Sequence, residues 1–355
     1  MTTPILRENF GLLPHGPVVE RVRLLGAGGF EASVITYGAA LQALHVPDAH
    51  GVLADVVLGH DDAAGYGRTR DFYGVTVGRV ANRIAGAAFD LDGARFIVEA
   101  NDGANMLHGG FNGFDRALWT IEAVDEDPVP AVTLRHISPD GAGGFPGTLD
   151  ARVTYSLSGL GELTIAFSAV TDRPTVVNLT NHAFFNLDGV EMGGDILGHH
   201  LTLAAERFLA TDSAAIPLPG PPRTVDGTPF DFRTGALIGA RIRDDDEQLR
   251  FGRGYDHNYC LEATDTPRLA ARVRAARSGR VMELLTDQPG VQFYSGNVID
   301  GAAQGKYGRL HRQSDAFCLE PQTWPDAPNR PDFPSARLDP GATYRHVSIY
   351  RFSTL

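Results

Sequence analysis

The sequence predicts an all-β protein made of antiparallel sheets. Short runs of β-branched and aromatic residues recur along the chain between turn-forming residues, which is the pattern of strands. The 355 residues include 41 glycines and 22 prolines, and these helix breakers suit many tight turns and few long helices. Strands joined by turns favour antiparallel sheets, although the pattern does not distinguish a sandwich from a barrel.

The strand pattern extends from one end of the chain to the other. Residues 32–37, 131–136 and 163–170 are rich in the residue types that strands prefer. Residues 344–352 alternate in polarity over their whole length, as expected for a strand with one buried face. Residues 235–242 are the best helix candidate, and a weak one, because they contain two glycines.

A single domain, residues 1–355, is expected. The chain contains no repeat of fixed period and no low-complexity linker. Its length leans towards two domains, but large β architectures often exceed that length as single domains. Residues 217–222 form the stretch richest in proline. Because apolar strand candidates flank them, we interpret them as a surface loop and not as a domain boundary.

Charge, hydropathy and cysteine content exclude several classes of function. The formal net charge of −12 disfavours a nucleic-acid partner, since phosphates require clustered lysine and arginine. The first ten residues lack the apolar run of a signal peptide, and no segment is apolar enough to span a membrane. The two cysteines, Cys260 and Cys318, make neither a disulfide framework nor a structural zinc site. Cys318 lies in an apolar stretch that predicts a buried, reduced thiol, and we expect a cytoplasmic protein.

Two segments carry the residues best suited to acid–base chemistry. Residues 178–187 place His182 among asparagines and phenylalanines, and residues 317–326 place Glu320 beside apolar and aromatic residues. An imidazole exchanges protons near neutral pH, and a carboxylate can do the opposite job at the same time. Each residue alone also has a structural interpretation: a histidine with satisfied hydrogen bonds, and a carboxylate that caps a turn.

Further motifs accompany these two segments along the chain. They are residues 78–84 (Gly-Arg-Val-Ala-Asn-Arg-Ile), 105–110 (Asn-Met-Leu-His-Gly-Gly), 113–115 (Gly-Phe-Asp) with Trp119, 255–258 (Tyr-Asp-His-Asn) and 288–294 (Gln-Pro-Gly-Val-Gln-Phe-Tyr). Together with the segments around His182 and Glu320, they resemble the aldose 1-epimerase, or galactose mutarotase, family. The resemblance runs from about Phe10 to the C-terminus, and its separated motifs make it specific.

The resemblance implies a fold, a reaction and a set of site residues. The fold would be a large antiparallel β-sandwich with the sugar in an open cleft on one face. The reaction would interconvert the α and β anomers of a free aldohexose of the glucose or galactose type. His182 would be the general acid at the ring oxygen, and Glu320 the general base at the anomeric hydroxyl. The implied sugar contacts are Asn82, Arg83, His108, Asp256 and Gln292.

The residue types suit these roles, although each contact residue alone has a simpler interpretation. Arg83 offers a rigid fork of donors to a hydroxyl or ring oxygen, and an ionised Asp256 can accept from two sugar hydroxyls. Without the resemblance, Asn82 and Arg83 would be assigned to a surface turn and His108 to a loop. Asp256 would cap a turn or a helix, and Gln292 would face solvent from a strand.

No other motif in the sequence indicates a metal, a nucleotide or a nucleophile, so no cofactor is expected. Neither H-x-x-E-H nor H-E-x-x-H occurs. His199 and His200 have no ligand partner at metal spacing and are assigned to a solvated loop. Residues 141–147 are glycine-rich, but no helix pattern or lysine follows them, so they indicate a turn. The G-x-S-x-G motif of serine hydrolases is also missing from the sequence.

Three other functions compete with this interpretation. A phosphosugar (hexose 6-phosphate) epimerase of the same fold would need additional arginine or lysine in the cleft, and the acidic composition argues mildly against it. A non-catalytic sugar-binding β-sandwich would leave the acid–base pair unexplained. A glycoside hydrolase needs two carboxylates, for which Asp256 and Glu320 are available. The expected partner is a monosaccharide; the sequence does not identify the preferred sugar or choose between a monomer and a homodimer.

Overall fold

The computed structural model describes residues 5–14, 16–159, 161–262 and 264–355, and nearly all of its regular structure is β. The first four residues of the N-terminal segment considered above lie outside these ranges. No helix within them is long and apolar enough to cross a membrane. The high strand content and the antiparallel pairing of the strands confirm the predicted all-β class.

Three large antiparallel sheets make up most of the molecule. In spatial order, the five-stranded sheet consists of Ile5–Leu12, Val18–Leu25, Glu31–Ile35, Ala40–Pro47 and Leu53–Asp55. The nine-stranded sheet consists of Thr120–Asp125, Ala131–Ser138, Leu149–Ser158, Glu162–Thr171, Tyr344–Thr354, Arg280–Thr286, Arg268–Ala275, His199–Leu203 and Ala236–Leu237. The six-stranded sheet consists of Phe184–Phe185, Phe317–Gln322, Gly290–Tyr294, Asp256–Cys260, Arg207–Phe208 and Arg223–Thr224.

Smaller elements connect these sheets. Five two-stranded pairs are formed by Arg83–Ile84 with Met106–Leu107, Thr76–Val77 with Thr180–Asn181, Ala88–Leu91 with Ala94–Ile97, Thr175–Val176 with Arg337–Leu338, and Asp300–Gln304 with Leu310–Arg312. The two α-helices of the described residues are Ala63–Arg68 and Glu247–Gly252. Single 3-10 turns occur at Ala27–Gly29, Ala85–Ala87, Phe114–Arg116, Ala142–Gly144, Val190–Met192, Ile238–Ala240, Lys306–Gly308 and Ala327–Asn329.

One hydrophobic core joins the three large sheets. Val153 and Tyr155 of the nine-stranded sheet are fully buried, since alternate residues of a strand point to the same face. They belong to the same cluster as Val34 of the five-stranded sheet and Phe293 of the six-stranded sheet. This packing produces the predicted sandwich. The opposite face of the six-stranded sheet lies outside this core.

Two predictions from the sequence are wrong. Residues 235–242 form no α-helix: Ala236–Leu237 pairs with His199–Leu203 at the edge of the nine-stranded sheet, and a 3-10 turn follows. Gly235 has a φ of +84°, outside the helical region, so the chain turns there into the strand. His199 lies on that neighbouring strand and not in a solvated loop, and its Nε2 accepts from the Leu187 N–H at 3.0 Å.

Both α-helices are short and were not predicted. Each has only six residues, too few to show the helical periodicity on which a sequence-based assignment depends. Aspartate side chains cap both N-termini: Asp62 accepts from the Gly65 N–H, and Asp246 accepts from the N–H groups of Gln248 and Leu249. In the proline-rich stretch, residues 219–221 are exposed, as predicted for a surface loop.

Candidate active site

All seven site residues inferred from the sequence line one pocket of about 350 Å³. They come from distant parts of the chain: Asn82 and Arg83, His108, His182, Asp256, Gln292 and Glu320. The volume lies in the range of small-molecule sites. Of the two residues proposed for acid–base chemistry, His182 is 6% exposed and Glu320 is 2% exposed, so both are shielded from bulk water.

The six-stranded sheet builds one wall of this pocket. Glu320 is paired with Gln292 on the neighbouring strand, and Cys318 is paired with Tyr294. Because strand residues alternate between faces, these side chains project away from Phe317 and Leu319, which pack into the main core. The alternation that buries the apolar residues thus places Glu320 in the pocket.

His182 lies against this wall in apolar surroundings. Its backbone N–H donates to the Val75 carbonyl at 2.9 Å, and its carbonyl accepts from the Gly74 N–H at 3.0 Å. Its ring stacks against Phe184, with a centroid separation of 4.8 Å, and against Phe72, at 5.7 Å. Its Nε2 lies 3.6 Å from Glu320 Oε1, just beyond hydrogen-bond length.

Burial shifts this pair towards its uncharged forms. Desolvation lowers the pKa of His182 to about 4. Desolvation also raises the pKa of Glu320 well above its ordinary value, and the nearby Asp256 charge raises it further. Both shifts favour the arrangement of imidazole and carboxylic acid over that of imidazolium and carboxylate. This is the reverse of what the ordinary pKa values of the two residue types suggest.

Asn82 and His108 are held together beside the pair. The Asn82 N–H donates to His108 Nδ1 at 3.2 Å. Burial and the neighbouring His182, Arg83 and Arg70 lower the pKa of His108 well below its ordinary value, so its ring is neutral. A neutral ring that accepts at Nδ1 carries its hydrogen on Nε2. His108 therefore presents a fixed N–H donor, and its Gly109 neighbour allows the close backbone approach, since a Cβ there would lie 1.9 Å from the Gly78 oxygen.

Three further groups add polar contacts to the pocket. Arg83 Nε donates to Asp102 Oδ2 at 2.7 Å, and Gln292 Nε2 donates to Asp256 Oδ1 at 2.7 Å. Burial raises the pKa of Asp256, while Arg83 opposes that shift. Gln292 Oε1 and Glu320 Oε2 are buried and find no partner among the described residues. These two oxygens are available to accept from hydroxyl groups of a ligand.

His108, His182 and Glu320 are also close enough to suggest a metal site. One potential ligand atom from each lies within 4.8 Å of the others. The hydrogen bonding of His108 does not fit a metal, however, because a metal-bound histidine normally donates its other ring N–H to a partner. Here Nδ1 accepts from Asn82, so Nε2 already carries the hydrogen. Spacing in the sequence gave no sign of this cluster, since the three residues are far apart along the chain.

The sequence missed two parts of the pocket wall. Residues 70–73 precede the first motif, and Phe72 among them stacks on His182. Residues 298–301 lead into the hairpin Asp300–Gln304/Leu310–Arg312, and His311 lies on its second strand. These segments carry no signal in a single sequence, because their position depends on packing between distant segments.

A buried ion pair anchors that hairpin. Lys306, at its tip, is 2% exposed; its ammonium group pairs with Asp55 and donates to the Gln42 carbonyl at 2.7 Å. The Lys306 N–H also donates to the Gly59 carbonyl at 2.9 Å. The hairpin is thus tied to the five-stranded sheet and the segment that follows it, and its base forms the side of the pocket.

Comparisons with known proteins agree with the geometry. A family model described as aldose 1-epimerase matches residues 20–351. Galactose mutarotases of Rattus norvegicus and Homo sapiens are each 41% identical to the chain over 349 residues, covering 98% of the chain and 98% of each relative. The aldose 1-epimerase of Escherichia coli (strain K12) is 34% identical over 351 residues, covering 98% of the chain and 99% of that protein.

Solved structures extend the similarity to the fold. A galactose 1-epimerase from Lactobacillus acidophilus NCFM has a TM-score of 0.87 at 25% identity, covering 99% of both chains. An aldose epimerase homologue from C. elegans has a TM-score of 0.86 at 31% identity, covering 94% of this chain and 99% of that one. The similarity therefore includes almost the whole molecule and not only its motifs.

Proposed function

The chain belongs to the aldose 1-epimerase family, as its motifs predicted, and we propose that it interconverts the α and β anomers of free aldohexoses of the glucose or galactose type. It is an isomerase that acts on carbohydrates. The observation that carries the proposal is the buried pair of His182 and Glu320, 3.6 Å apart, in a pocket that is also lined by the residues proposed to contact the sugar.

The proposed reaction is a pair of matched proton transfers. Glu320 takes the proton from the anomeric hydroxyl, O1, while His182 gives a proton to the ring oxygen, O5. The C1–O5 bond breaks and C1 becomes an aldehyde carbon. Rotation about C1–C2 presents the other face of that carbonyl. Ring closure then returns one proton from Glu320 to the new anomeric oxygen and the other from O5 to His182.

This cycle needs one proton on the pair at every stage. Ring opening starts with imidazolium and carboxylate and ends with imidazole and carboxylic acid. The second arrangement is the one that burial favours in the pocket without sugar. Ring hydroxyls that donate to Glu320 would stabilise the carboxylate and draw the proton to His182. Acid–base assistance of this kind contributes about 10²–10⁴-fold to a rate.

The remaining residues are proposed to hold the sugar in position. Asp256 has one oxygen bonded to Gln292 and another available for a hydroxyl. His108 offers its Nε2–H, and among the described residues the hydrogen bonds of the Arg83 guanidinium use only its Nε, which donates to Asp102. Asn82 fixes His108 through its backbone N–H. Positioning of this kind lowers the barrier by supplying orientation before the chemical step.

Polarimetry tests the proposal directly. Freshly dissolved α-D-glucose and α-D-galactose should approach their equilibrium rotation faster with the protein than without it, and the end point should not change. An unchanged approach for a panel of fresh aldoses would overturn the proposal. A sugar-binding protein without catalysis would give saturable binding in calorimetry and no acceleration.

The pocket does not favour a phosphosugar. Both arginines that line its described part are already paired with carboxylates, Arg70 with Asp115 and Arg83 with Asp102. A phosphate would have to compete with those bonds and with the acidic residues nearby. A hexose 6-phosphate should therefore be a poorer substrate than the free hexose in the same polarimetric assay.

We also propose that residues 1–355 act as one domain in the cytoplasm, as a monomer or homodimer. The shared core of the three large sheets supports one domain. The two cysteines are free thiols, which suits a reducing compartment.

A further inference from the structure

The second nitrogen of His182 has a specific neighbour that the mechanism above does not use. Cys318 Sγ lies 3.5 Å from His182 Nδ1. Among the described residues, Cys318 Sγ is the hydrogen-bond partner of His182 Nδ1. Cys318 is fully buried and sits two residues before Glu320 on the same strand, with its side chain on the same face. One short stretch of strand therefore contacts both ring nitrogens of the histidine.

The acid form of His182 requires an acceptor at this position. An imidazolium carries hydrogen on both nitrogens and can only donate. Its Nε2–H must point at the sugar, so its Nδ1–H needs a separate partner. A buried N–H without an acceptor would raise the free energy of the acid form. The sulfur of Cys318 is placed to accept that hydrogen.

We propose that Cys318 is a positioning residue for the general acid: its sulfur accepts the Nδ1–H of His182 and so directs Nε2 at Glu320 and the ring oxygen of the sugar. This inference rests on the proposed function of the site. It also specifies the neutral form of the ring. With the hydrogen on Nδ1, the lone pair of Nε2 faces Glu320 and can receive its proton.

A sulfur has a different effect from the carboxylate that often orients a catalytic histidine. A carboxylate beside Nδ1 stabilises the imidazolium and makes it a weaker acid. A thiol is a neutral and weak acceptor, so it orients the ring without that stabilisation. Burial, with the charges of Glu320 and Asp256, raises the pKa of the Cys318 thiol well above its ordinary value, which keeps the sulfur neutral. The imidazolium thus remains a strong proton donor towards a weakly basic ring oxygen.

The surrounding structure holds the contact in place. In the sheet, Cys318 is paired with Phe184 on one neighbouring strand and with Tyr294 on the other. Phe184 is the residue whose ring stacks on His182. Sulfur, imidazole and phenyl ring are therefore fixed by one set of backbone pairs, and the direction of the imidazole follows from the sheet.

Cys318→Ala and Cys318→Ser are the test variants, and Cys260→Ala is the matched control at the other free thiol. We expect Cys318→Ala to lower kcat by about 3- to 10-fold, the effect of one lost hydrogen bond, with KM nearly unchanged. Cys318→Ser should retain most of the activity, because a hydroxyl oxygen also accepts. Cys260→Ala should match the parent. A Cys318→Ala variant with parental kcat would overturn the inference, as would a folded Cys318→Ser variant that loses as much as Cys318→Ala.

Nitrogen-15 NMR of the labelled imidazole gives a readout that is independent of turnover. In the parent at neutral pH we expect hydrogen on Nδ1 of His182 and none on Nε2. In Cys318→Ala the tautomer should move towards Nε2–H. A parent spectrum showing hydrogen on Nε2 and none on Nδ1 would refute the inference even if mutarotation is fast. A parent without mutarotase activity would instead contradict the proposed function, while this spectrum would still test the Nδ1–H to sulfur contact.

Discussion

Glu320→Gln should abolish most of the catalysis while leaving the pocket intact. Glutamine has the shape of glutamate, but its amide accepts no proton, so O1 loses its base. The substitution also removes the carboxyl group from which His182 could receive a proton. With a pKa of about 4, only about one His182 ring in 10³ would be an imidazolium at pH 7. Asp256 is a poor substitute base, since one of its oxygens is already bound by Gln292.

The loss of the base and the low pKa of His182 together set the expected decrease in rate. The rate at pH 7 should fall by at least about 10²-fold and by as much as about 10⁴-fold, or about 2.7 to 5.5 kcal/mol in barrier height. The residual rate should rise about tenfold per unit as the pH is lowered towards 4, because His182 then acquires its proton from solvent. Sugar binding should be largely kept.

The assay is polarimetry of fresh α-D-galactose from pH 4 to 8, corrected for the spontaneous reaction at each pH. Glu283→Gln is the matched control, since Glu283 is a partly exposed carboxylate that pairs with Arg272 and Arg351 away from the pocket. A Glu320→Gln protein that retains near-parental rates at pH 7 would remove Glu320 from the mechanism. A reduced rate with no rise at acid pH would contradict the lowered pKa of His182.

Three other outcomes are expected. The parent rate should be constant between two apparent pKa values, which belong to the pair and not to either residue. It should fall below about pH 4, where His182 also becomes protonated and the pair holds two protons. It should also fall at high pH, where the pair loses its last proton. His182→Asn should lower the rate and lose the alkaline limb in polarimetric pH profiles, because Glu320 alone acts as base only when it is ionised. Dialysis against a strong chelator should leave activity unchanged, and activity restored by a divalent ion would show a metal requirement. Lys306→Met should reduce the free energy of unfolding by about 3–5 kcal/mol in denaturant titrations, because Asp55 stays buried without its partner; the variant Arg309→Met, at an exposed position of the same hairpin, should change it little.

The location of the site was readable from the sequence because local alternation decides which side chains share a face. Cys318 and Glu320 alternate with Phe317 and Leu319, and that order alone separates pocket from core once the strand is known. The motifs then identified which polar residues meet. The prediction failed where long-range contacts decide the outcome, as at His199, whose burial depends on a strand partner far along the chain.

The protonation of the pair is the clearest case of information that the sequence lacks. Ordinary pKa values would leave a carboxylate and a partly protonated imidazole at pH 7, and would assign the acid limb of a pH profile to Glu320. Packing of Phe72, Phe184 and the sheet removes water from both groups and reverses that order. Residue types predict which groups exchange the proton, whereas burial decides where it rests.

His108 and His182, two of the histidines that line the pocket, show how a single hydrogen bond assigns a role. Their ring centroids lie 5.3 Å apart, and both rings are buried. His108 accepts at Nδ1 from the Asn82 N–H, so it would lose that bond on becoming an imidazolium. His182 has a sulfur at Nδ1 that can accept, so its ring can carry a proton on each nitrogen. Of the two, only His182 can therefore pick up and release a proton during the cycle, while His108 is restricted to donating a hydrogen bond. If His182→Asn retained the parental alkaline limb, another group would be the proton donor and this division of roles would be wrong.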